Sequence, residues 1–319
     1  MTLKSRVALI VSGFLIFLVL APAIVLTAQG YYFDFENYQL VRTGTLTVKT
    51  DPRGAIVTAN GSRLGDTPLA KRFFLPGEYR VEVDKPGYQP WRKFIAVNEQ
   101  RVASLPRGTE KIFLVLLNPE VKSAVATTTS TLLSPTEQNS ESLYFISPED
   151  RRLMAKNTDG TATPILEDPL PKANKEKIVS TPQKQIFLLL DDTLFQVTET
   201  LLEINHGVTY AAWDPEAEAL VYSGAYEIWL YRPLAQSGNE LITRLAGGIN
   251  SPVIFRSQIG YFFFASGNKI VALEYDPQGQ PNQYLLVETK TENPQFSVNS
   301  DGDELTYLDA GELVTLKIR

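Results

Sequence analysis

Five segments of similar pattern recur along the second half of the chain, and this repeat limits the fold more than any other feature. They start at Tyr144, Ile178, Tyr210, Ser251 and Pro294. Each begins as a strand, passes through a polar turn and continues into an apolar strand, and the equivalent turn positions, Pro148, Pro182, Pro215, Ser257 and Ser300, are about 33 to 43 residues apart. Further strand patterns follow most segments, as in "AYEIWLYRP". Four strands in about 40 to 50 residues is the content of one β-propeller blade.

The turns in this region carry a resemblance to known repeat families. The "WDPE" turn at Trp213 and the "NSDGD" turn at Asn299 resemble those of TolB-like and WD-repeat propellers. Only the turn and hairpin match. We therefore expect residues 143–319 to form β-propeller-like repeats of about five blades, the first poorly formed, with a partly open propeller or a sandwich as alternatives.

The N-terminus carries an uncharged stretch over residues 7–28, preceded by Lys4 and Arg6. About 20 apolar residues cross a bilayer as a helix. The "APA" at 21–23 is typical of a signal-peptide cleavage site, but the apolar run continues past it and exceeds a signal h-region of about 7–15 residues. We predict a retained signal anchor over residues 1–30. The basic residues before it and Asp34 and Glu36 after it place the N-terminus in the cytoplasm and the rest outside, in a single-pass cell-membrane protein.

A juxtamembrane segment, residues 31–41, is followed by a run of short strands over residues 42–118. Leu46 and Val48 alternate with polar residues, and an Asn60-Gly61 turn separates two strand patterns. Six or seven strands with turn signals every 8 to 12 residues predict a small antiparallel β-sandwich. Together the two regions indicate an all-β fold behind one transmembrane helix.

The same residues resemble the PEGA domain, a small bacterial extracytoplasmic β-sandwich, and the stretch from "GYYFDF" to "GYQPW" resembles single-span PEGA proteins of candidate-phylum bacteria. The sequence "DPRGA" stands at the position of the namesake motif, with Arg53 in place of Glu. This resemblance implies a role at the cell surface or envelope and supplies no catalytic residues. The matching positions are Gly44, Pro52, Gly54, Ala55, Asn60, Gly61, Gly65, Thr67, Pro68, Pro76, Gly77, Tyr79, Lys85, Gly87 and Tyr88.

Between the two folded regions, residues 119–142 contain ten Ser and Thr in 24 positions and show no sustained periodicity. We predict a flexible Ser/Thr-rich linker there.

Composition excludes several kinds of site. With no cysteine, the chain cannot form a disulfide framework or a cysteine-rich metal site. A Ser/His/Asp triad would depend on the single histidine, His206, which precedes Gly207 and is interpreted as a turn residue between strands. Asp191-Asp192 and the acidic residues Asp301 and Asp303 are interpreted as hairpin turns, because the calcium-loop pattern needs a glutamate where Ala310 or Gly311 stands. We therefore predict no catalytic residue, no metal site and no cofactor.

Aromatic residues offer one candidate for sugar binding. Trp91, Trp213, Trp229 and the "GYFFFASG" segment at 260–267 would suit stacking on sugar rings, but consecutive aromatics in a strand more often pack between blades. Packing is the preferred interpretation.

Charge is unevenly distributed. Residues 42–111 contain 13 Lys and Arg against 7 Asp and Glu, whereas residues 112–319 contain 15 against 27. One hypothesis is that basic residues of the sandwich contact anionic lipids, wall polymers or the acidic propeller; the alternative is two ordinarily solvated surfaces. The residues concerned are Arg63, Lys71, Arg72, Arg92 and Lys93.

These observations favour a non-catalytic envelope protein that contacts the lipid bilayer through residues 7–28 and presents its two domains to an envelope protein or a cell-wall glycan. A propeller-based glycan hydrolase or lyase that uses channel carboxylates is the alternative. No basic-aromatic ribbon indicates nucleic acid.

Overall fold

The structure is a computed structural model that describes residues 3–35, 38–106, 109–127, 143–233, 238–250, 252–276 and 281–319. It divides into two compact units, Met1–Leu114 and Val115–Arg319. The boundary lies four residues before the position predicted from sequence.

The apolar N-terminal run forms a helix, α1 (Leu3–Ala28). Its most apolar window, Ile10–Ala28, has a mean hydropathy of 2.6 and none of it is buried within the protein. Pro22 lies inside the helix. Length and composition suit a membrane span or a signal sequence, as predicted for residues 7–28.

Unit 1 continues with a hairpin and two small sheets. The hairpin pairs β1 (Tyr31–Asp34) with β2 (Gln39–Arg42). The other strands are β3 (Gly44–Val48), β4 (Thr50–Asp51), β5 (Ile56–Ala59), β6 (Ser62–Asp66), β7 (Leu69–Phe74), β8 (Gly77–Asp84), β9 (Trp91–Val97), β10 (Val102–Leu105) and β11 (Ile112–Phe113). One sheet has the order β6-β5-β8-β9 and the other β10-β3-β7, with a short β11-β4 pair beside them.

Alternating side chains build the core of unit 1. Leu46 and Val48 on β3, and Val81 and Val83 on β8, are fully buried, as their period-two spacing predicts. The β5–β6 hairpin turns at Asn60 and Gly61 with φ of 48° and 79°, which are the positive values that this two-residue turn needs.

The prediction of a purely antiparallel sandwich is wrong for two pairs. β10 runs parallel to β3, and β11 runs parallel to β4. After β9 the chain passes from the edge of one sheet to the other, which brings β10 alongside β3 in the same direction. Alternation of side chains shows which face of a strand is buried but not the direction in which it pairs.

Unit 2 begins with β12 (Glu120–Ala126) and continues with five groups of strands. These are β13 (Tyr144–Ile146), β14 (Leu153–Lys156) and β15 (Ala162–Pro164); β16 (Glu176–Ser180), β17 (Ile186–Leu190), β18 (Thr193–Val197) and β19 (Leu201–Asn205); β20 (Val208–Asp214), β21 (Ala219–Gly224), β22 (Glu227–Tyr231) and β23 (Asn239–Arg244); β24 (Ile254–Arg256), β25 (Tyr261–Ser266), β26 (Lys269–Glu274) and β27 (Gln283–Glu288); and β28 (Phe296–Val298), β29 (Glu304–Asp309) and β30 (Glu312–Lys317).

These strands form successive antiparallel sheets with the strand order of propeller blades, which confirms the predicted fold class. Three sheets contain four consecutive strands, and the fourth strand of the last sheet is β12. Within the described residues the first sheet has three strands, in agreement with the poorly formed first blade expected from sequence. The five repeat positions all fall on the turn between the first and second strand of a sheet.

Neighbouring sheets are held together by apolar side chains. Phe187 and Leu189 of the second sheet pack with Leu220 and Tyr222 of the third. Another cluster joins the third and fourth sheets through Val221, Ile228, Phe255, Phe262 and Phe264.

The strand β12 corrects the predicted linker. Glu120–Ala126 pairs antiparallel with β30 and forms the outer strand of the last sheet, order β12-β30-β29-β28. All seven side chains of β12 are exposed, so their sequence shows no buried alternation. The rest of the predicted linker, residues 128–142, lies outside the described residues.

We predict that blocking the β12–β30 ladder destabilises unit 2. Neighbouring residues of a strand point their N–H groups to opposite sides, so one of the two N–H groups of Ala124 and Val125 faces β30. The double variant Ala124→Pro/Val125→Pro removes both N–H groups and therefore removes the one that donates to β30. Thermal unfolding of the full chain should show a midpoint about 4 °C or more lower, as about 2–4 °C accompanies each kcal/mol in a domain of this size. The control Ala124→Ser/Val125→Ser keeps both N–H groups and should unfold like the native chain. Equal midpoints for the two variants would contradict a structural role of the ladder.

Candidate functional site

The aromatic candidates are packing residues. Trp91 is buried in unit 1, and Tyr261–Ala265 of the "GYFFFASG" segment are all buried. The Trp213 ring stacks on Phe187 at 6.3 Å, and the Trp229 ring lies parallel to Tyr222 at 6.1 Å. Packing is therefore confirmed for Trp91 and for Tyr261–Ala265, whereas Trp213 and Trp229 are half-buried and each packs against an aromatic neighbour.

The acidic pairs are turn residues, as predicted. Oδ1 of Asp191 accepts hydrogen bonds from the backbone N–H groups of Asn174 and Lys175. Oδ1 of Asp303 accepts a hydrogen bond from the side-chain amide of Asn299. His206 is exposed at a turn, with Nδ1 3.9 Å from Glu203. Within the described part of the chain, no group of three acidic, histidine or cysteine residues is placed to hold a metal ion.

The predicted basic set of the sandwich is wrong in one member. Lys93 is buried, and its Nζ lies 5.8 Å from the centre of the Trp91 ring. On β9 the residues alternate between faces, so Lys93 points inward while Arg92 points outward and pairs with Glu82 at 3.7 Å. Arg63 forms an ion pair with Asp66. The set is therefore not one surface.

A pocket in unit 2 combines charged and aromatic groups. It has a volume of about 370 Å³, within the range of about 300–1,000 Å³ typical of ligand sites. Its walls come from the first strands of the third, fourth and fifth sheets, from the turns that follow them and from Val221 on β21. The residues with polar side chains are Tyr210, Trp213, Asp214, Glu216, Arg256, Asn299 and Ser300.

Asp214 and Glu216 bring two carboxylates to this pocket from the turn after β20. Oδ1 of Asp214 accepts hydrogen bonds from the backbone N–H groups of Glu216 and Ala217, both at 2.9 Å, and thereby orders the turn. Burial raises the pKa of Asp214 above its ordinary value, against the lowering effect of these two hydrogen bonds. Glu216 reaches the next sheet, where its Oε1 accepts a hydrogen bond from Gln258 at 2.8 Å.

Arg256, at the end of β24, supplies the positive charge. Its Nε donates to the backbone oxygen of Asn299 at 2.8 Å and its Nη2 donates to that of Val298, which joins the fourth and fifth sheets. Burial lowers the pKa of Arg256, while Asp214 and Glu216 act in the opposite direction. The pocket therefore offers two carboxylates, one guanidinium group and the hydroxyl group of Tyr210 to a polar ligand.

Sequence reasoning found part of this site. The sequence marks Asp214 and Glu216 as part of a turn motif, and the repeat marks the equivalent turn position in each sheet. Arg256 and Tyr210 carried no signal of their own, because the residues of the pocket come from three sheets whose turns lie more than 40 residues apart in the chain.

Comparison with family models identifies one part of the chain. The family model of the PEGA domain matches residues 43–107, so unit 1 contains a PEGA domain. No curated protein sequence matches the chain.

Among solved structures, virginiamycin B lyase from Staphylococcus aureus is similar with a TM-score of 0.39 and 12% identity, over 86% of this chain and 98% of the lyase. The C-terminal WD40 domain of Sif2 gives a TM-score of 0.37 and 12% identity over 53% of this chain and 55% of that domain. An auxiliary nutrient binding protein from Bacteroides ovatus gives a TM-score of 0.35 and 12% identity over 82% of this chain and 78% of that protein. The propeller assignment rests on the sheets themselves, and none of these neighbours transfers a ligand or an activity.

We predict that Asp214→Asn stabilises the protein at neutral pH. Because burial raises the pKa of Asp214, the folded state binds the proton of this carboxyl group more tightly than the unfolded chain does. The folded protein therefore loses stability as the pH rises from about 4, the pKa of an aspartic acid in the unfolded chain, through the pKa in the folded state. The asparagine oxygen can still accept the two turn hydrogen bonds. Thermal unfolding should give a higher midpoint for the variant at pH 7 and the same midpoint as the native chain below about pH 4. A lower midpoint at pH 7 would show that the charge itself stabilises the turn.

Proposed function

We propose that the chain is a non-catalytic, membrane-anchored envelope protein whose propeller binds a protein or glycan partner at the pocket formed by Tyr210, Asp214, Glu216 and Arg256. The observation that carries the proposal is that Arg256 lines the same pocket as Asp214 and Glu216, whose charges act on it, where the strand ends of three sheets meet. Loops at the ends of blades are where propeller-type scaffolds carry their binding residues. The PEGA domain and the apolar helix support a place at the envelope.

Anchoring is supported by the way in which α1 ends. The small-residue site at 21–23 lies inside the continuous helix. Just after the helix, the backbone oxygen of Gly30 accepts two hydrogen bonds from Thr43 of the sandwich, one from its N–H and one from its hydroxyl group. Cleavage at that site would leave Ile24–Ala28 as a short apolar stub before the domain.

We expect the native protein to keep its N-terminus and to stay in the membrane pellet after carbonate extraction at pH 11, because a bilayer-spanning helix is not removed by loss of surface charge interactions. Intact-mass spectrometry of the pelleted protein should give the mass of a chain that still contains residues 1–23. A mature N-terminus near residue 24 with release into the supernatant would contradict the anchor. Leu15→Arg/Leu18→Arg places two charges within the span and should release the chain, whereas Ser12→Ala should not.

Partner binding is tested with the full chain, solubilised in mild detergent, as bait for solubilised envelope proteins and for purified wall polysaccharide. Ser300→Trp fills the mouth of the pocket from an exposed position. We expect the affinity of this variant for the partner to be at least about tenfold lower than that of the native chain, which is equal to about 1.4 kcal/mol of binding free energy. The control Ala225→Trp adds the same side chain at an exposed turn at the opposite ends of the strands and should bind normally. Undiminished binding by Ser300→Trp, or no retained partner for the native chain, would contradict the proposal.

A glycan hydrolase or lyase is the second candidate, favoured by the raised pKa of Asp214 beside a second carboxylate. Both carboxylates already accept hydrogen bonds within the protein, which suits a structural role better. Incubation of the full chain with wall polysaccharide distinguishes the two functions. Release of soluble fragments that is absent with Glu216→Gln would establish catalysis and overturn the proposal of a non-catalytic protein.

A further inference from the structure

A second and larger concave surface lies within unit 1, where α1 meets the PEGA domain. This groove has a volume of about 760 Å³. One wall is the last part of α1 and the residues that follow it, from Ala23 to Gly30. The facing wall is formed by Arg72 and Phe73 of β7 together with Gln100, Arg101 and Val102 at the β9–β10 connection.

Backbone hydrogen bonds hold the two walls at a set distance. Thr43 donates to the oxygen of Gly30 at the helix end and accepts from the N–H of Gln100 at 2.9 Å, and Thr45 donates to the oxygen of Arg101 at 2.9 Å. Gly44, between them, has no room for a side chain, since a Cβ there would lie 2.6 Å from the backbone oxygen of Asn98. The groove is therefore built into the junction and does not depend on side chains alone.

Two residues that line the groove have backbone conformations that L-amino acids rarely adopt. Phe73 and Gln100 both have φ of 55°. For a bulky residue such as phenylalanine this is an outlier, and such strain is concentrated at ligand sites. At Phe73 the conformation coincides with an irregularity in the β3–β7 pairing and leaves the ring 42% exposed.

The groove combines unpaired cations with exposed apolar surface. Among the described residues, neither Arg72 nor Arg101 forms an ion pair, in contrast to Arg63, Arg80 and Arg92 of the same domain. Val102 is 63% exposed and Ile24 is 65% exposed. A site for a free inorganic anion would not need this apolar surface.

The position of the groove indicates the source of its ligand, and this step rests on the membrane anchor proposed above. The apolar window of α1 ends at Ala28, so Ala23–Gly30 lie where the helix leaves the hydrocarbon and enters the headgroup layer. Arginine forms paired hydrogen bonds with phosphate oxygens. The C-terminal carbonyl groups of the helix carry a partial negative charge, which keeps a phosphate on the arginine side of the groove.

We propose that this groove binds one anionic phospholipid of the outer leaflet. The guanidinium groups of Arg72 and Arg101 hold its phosphodiester, and an acyl chain lies along Ala23 and Ile24. The bound lipid would fix the height of the PEGA domain at the membrane surface, in addition to the anchoring that the apolar helix provides.

Native mass spectrometry of the full chain in mild detergent, titrated with phosphatidylglycerol, tests this site. We expect one retained lipid per chain, with phosphatidylcholine bound at least about tenfold more weakly. Arg72→Gln/Arg101→Gln should weaken phosphatidylglycerol binding by about tenfold or more, since each charge-assisted hydrogen bond contributes the equivalent of about a tenfold change. Val102→Glu, which adds a negative charge at an exposed position of the groove, should weaken it similarly.

The matched control is Arg63→Gln/Arg80→Gln, which removes two exposed guanidinium groups of the same unit outside the groove. It should bind phosphatidylglycerol like the native chain. Equal loss in both double variants would show general surface attraction, and unchanged binding by Arg72→Gln/Arg101→Gln would exclude these residues; either result overturns the proposal. Displacement of the lipid by millimolar inorganic phosphate would identify a free-anion site and overturn it as well.

Failure of the lipid site and failure of the anchor are distinguishable. A chain that stays in the pellet after carbonate extraction but retains no phosphatidylglycerol contradicts the lipid site alone. A chain released by carbonate contradicts the anchor on which the site rests.

Discussion

The pairing of β12 with β30 is the constraint on which the propeller unit depends. It joins the first strand of unit 2 to its last strand within one sheet. Because every side chain of β12 is exposed, the strand is held by its backbone hydrogen bonds and by the ion pair between Lys122 and Glu304. Without it, β30 would present an unpaired edge, which proteins normally cover. In the sequence β12 precedes the first sheet, whereas in the structure it belongs to the last one.

The candidate binding pocket adjoins the sheet that this pairing completes. One of its walls, at Val298 and Asn299, belongs to the sheet that β12 completes. Arg256 donates to the backbone oxygens of these two residues, and Glu216 links the preceding sheet to the fourth. The charged groups that we propose as a binding surface therefore also join adjacent sheets. A site of this kind is held in place by the scaffold, so little ordering is needed when a partner binds.

Much of the fold could be predicted from sequence, because turns and alternation are local signals. Asn60-Gly61 specifies a hairpin by its backbone preferences, and the repeat of polar turns marks the first hairpin of each sheet. The strand β12 was missed because an edge strand with all side chains exposed has no apolar period, and its serine and threonine neighbours resemble a linker. Arg92 and Lys93 were assigned to one surface although consecutive residues of a strand face opposite sides, so the burial of Lys93 was within reach of the same rule. The parallel direction of β10 and the meeting of Arg256 with Asp214 depend on contacts between distant parts of the chain, which no local pattern records.

The central claim is that residues 120–126 are a strand of the propeller, and hydrogen exchange followed by mass spectrometry of the full chain tests it most directly. Ladder hydrogen bonds slow the exchange of backbone amides, whereas solvated linkers exchange at once. The account predicts that about half of the amides in Glu120–Ala126, those that face β30, exchange as slowly as those of β29, while the other half exchange fast, as on any edge strand. Uniformly fast exchange across Glu120–Ala126, with fast exchange at the β30 amides that face them, would contradict the pairing of β12 with β30.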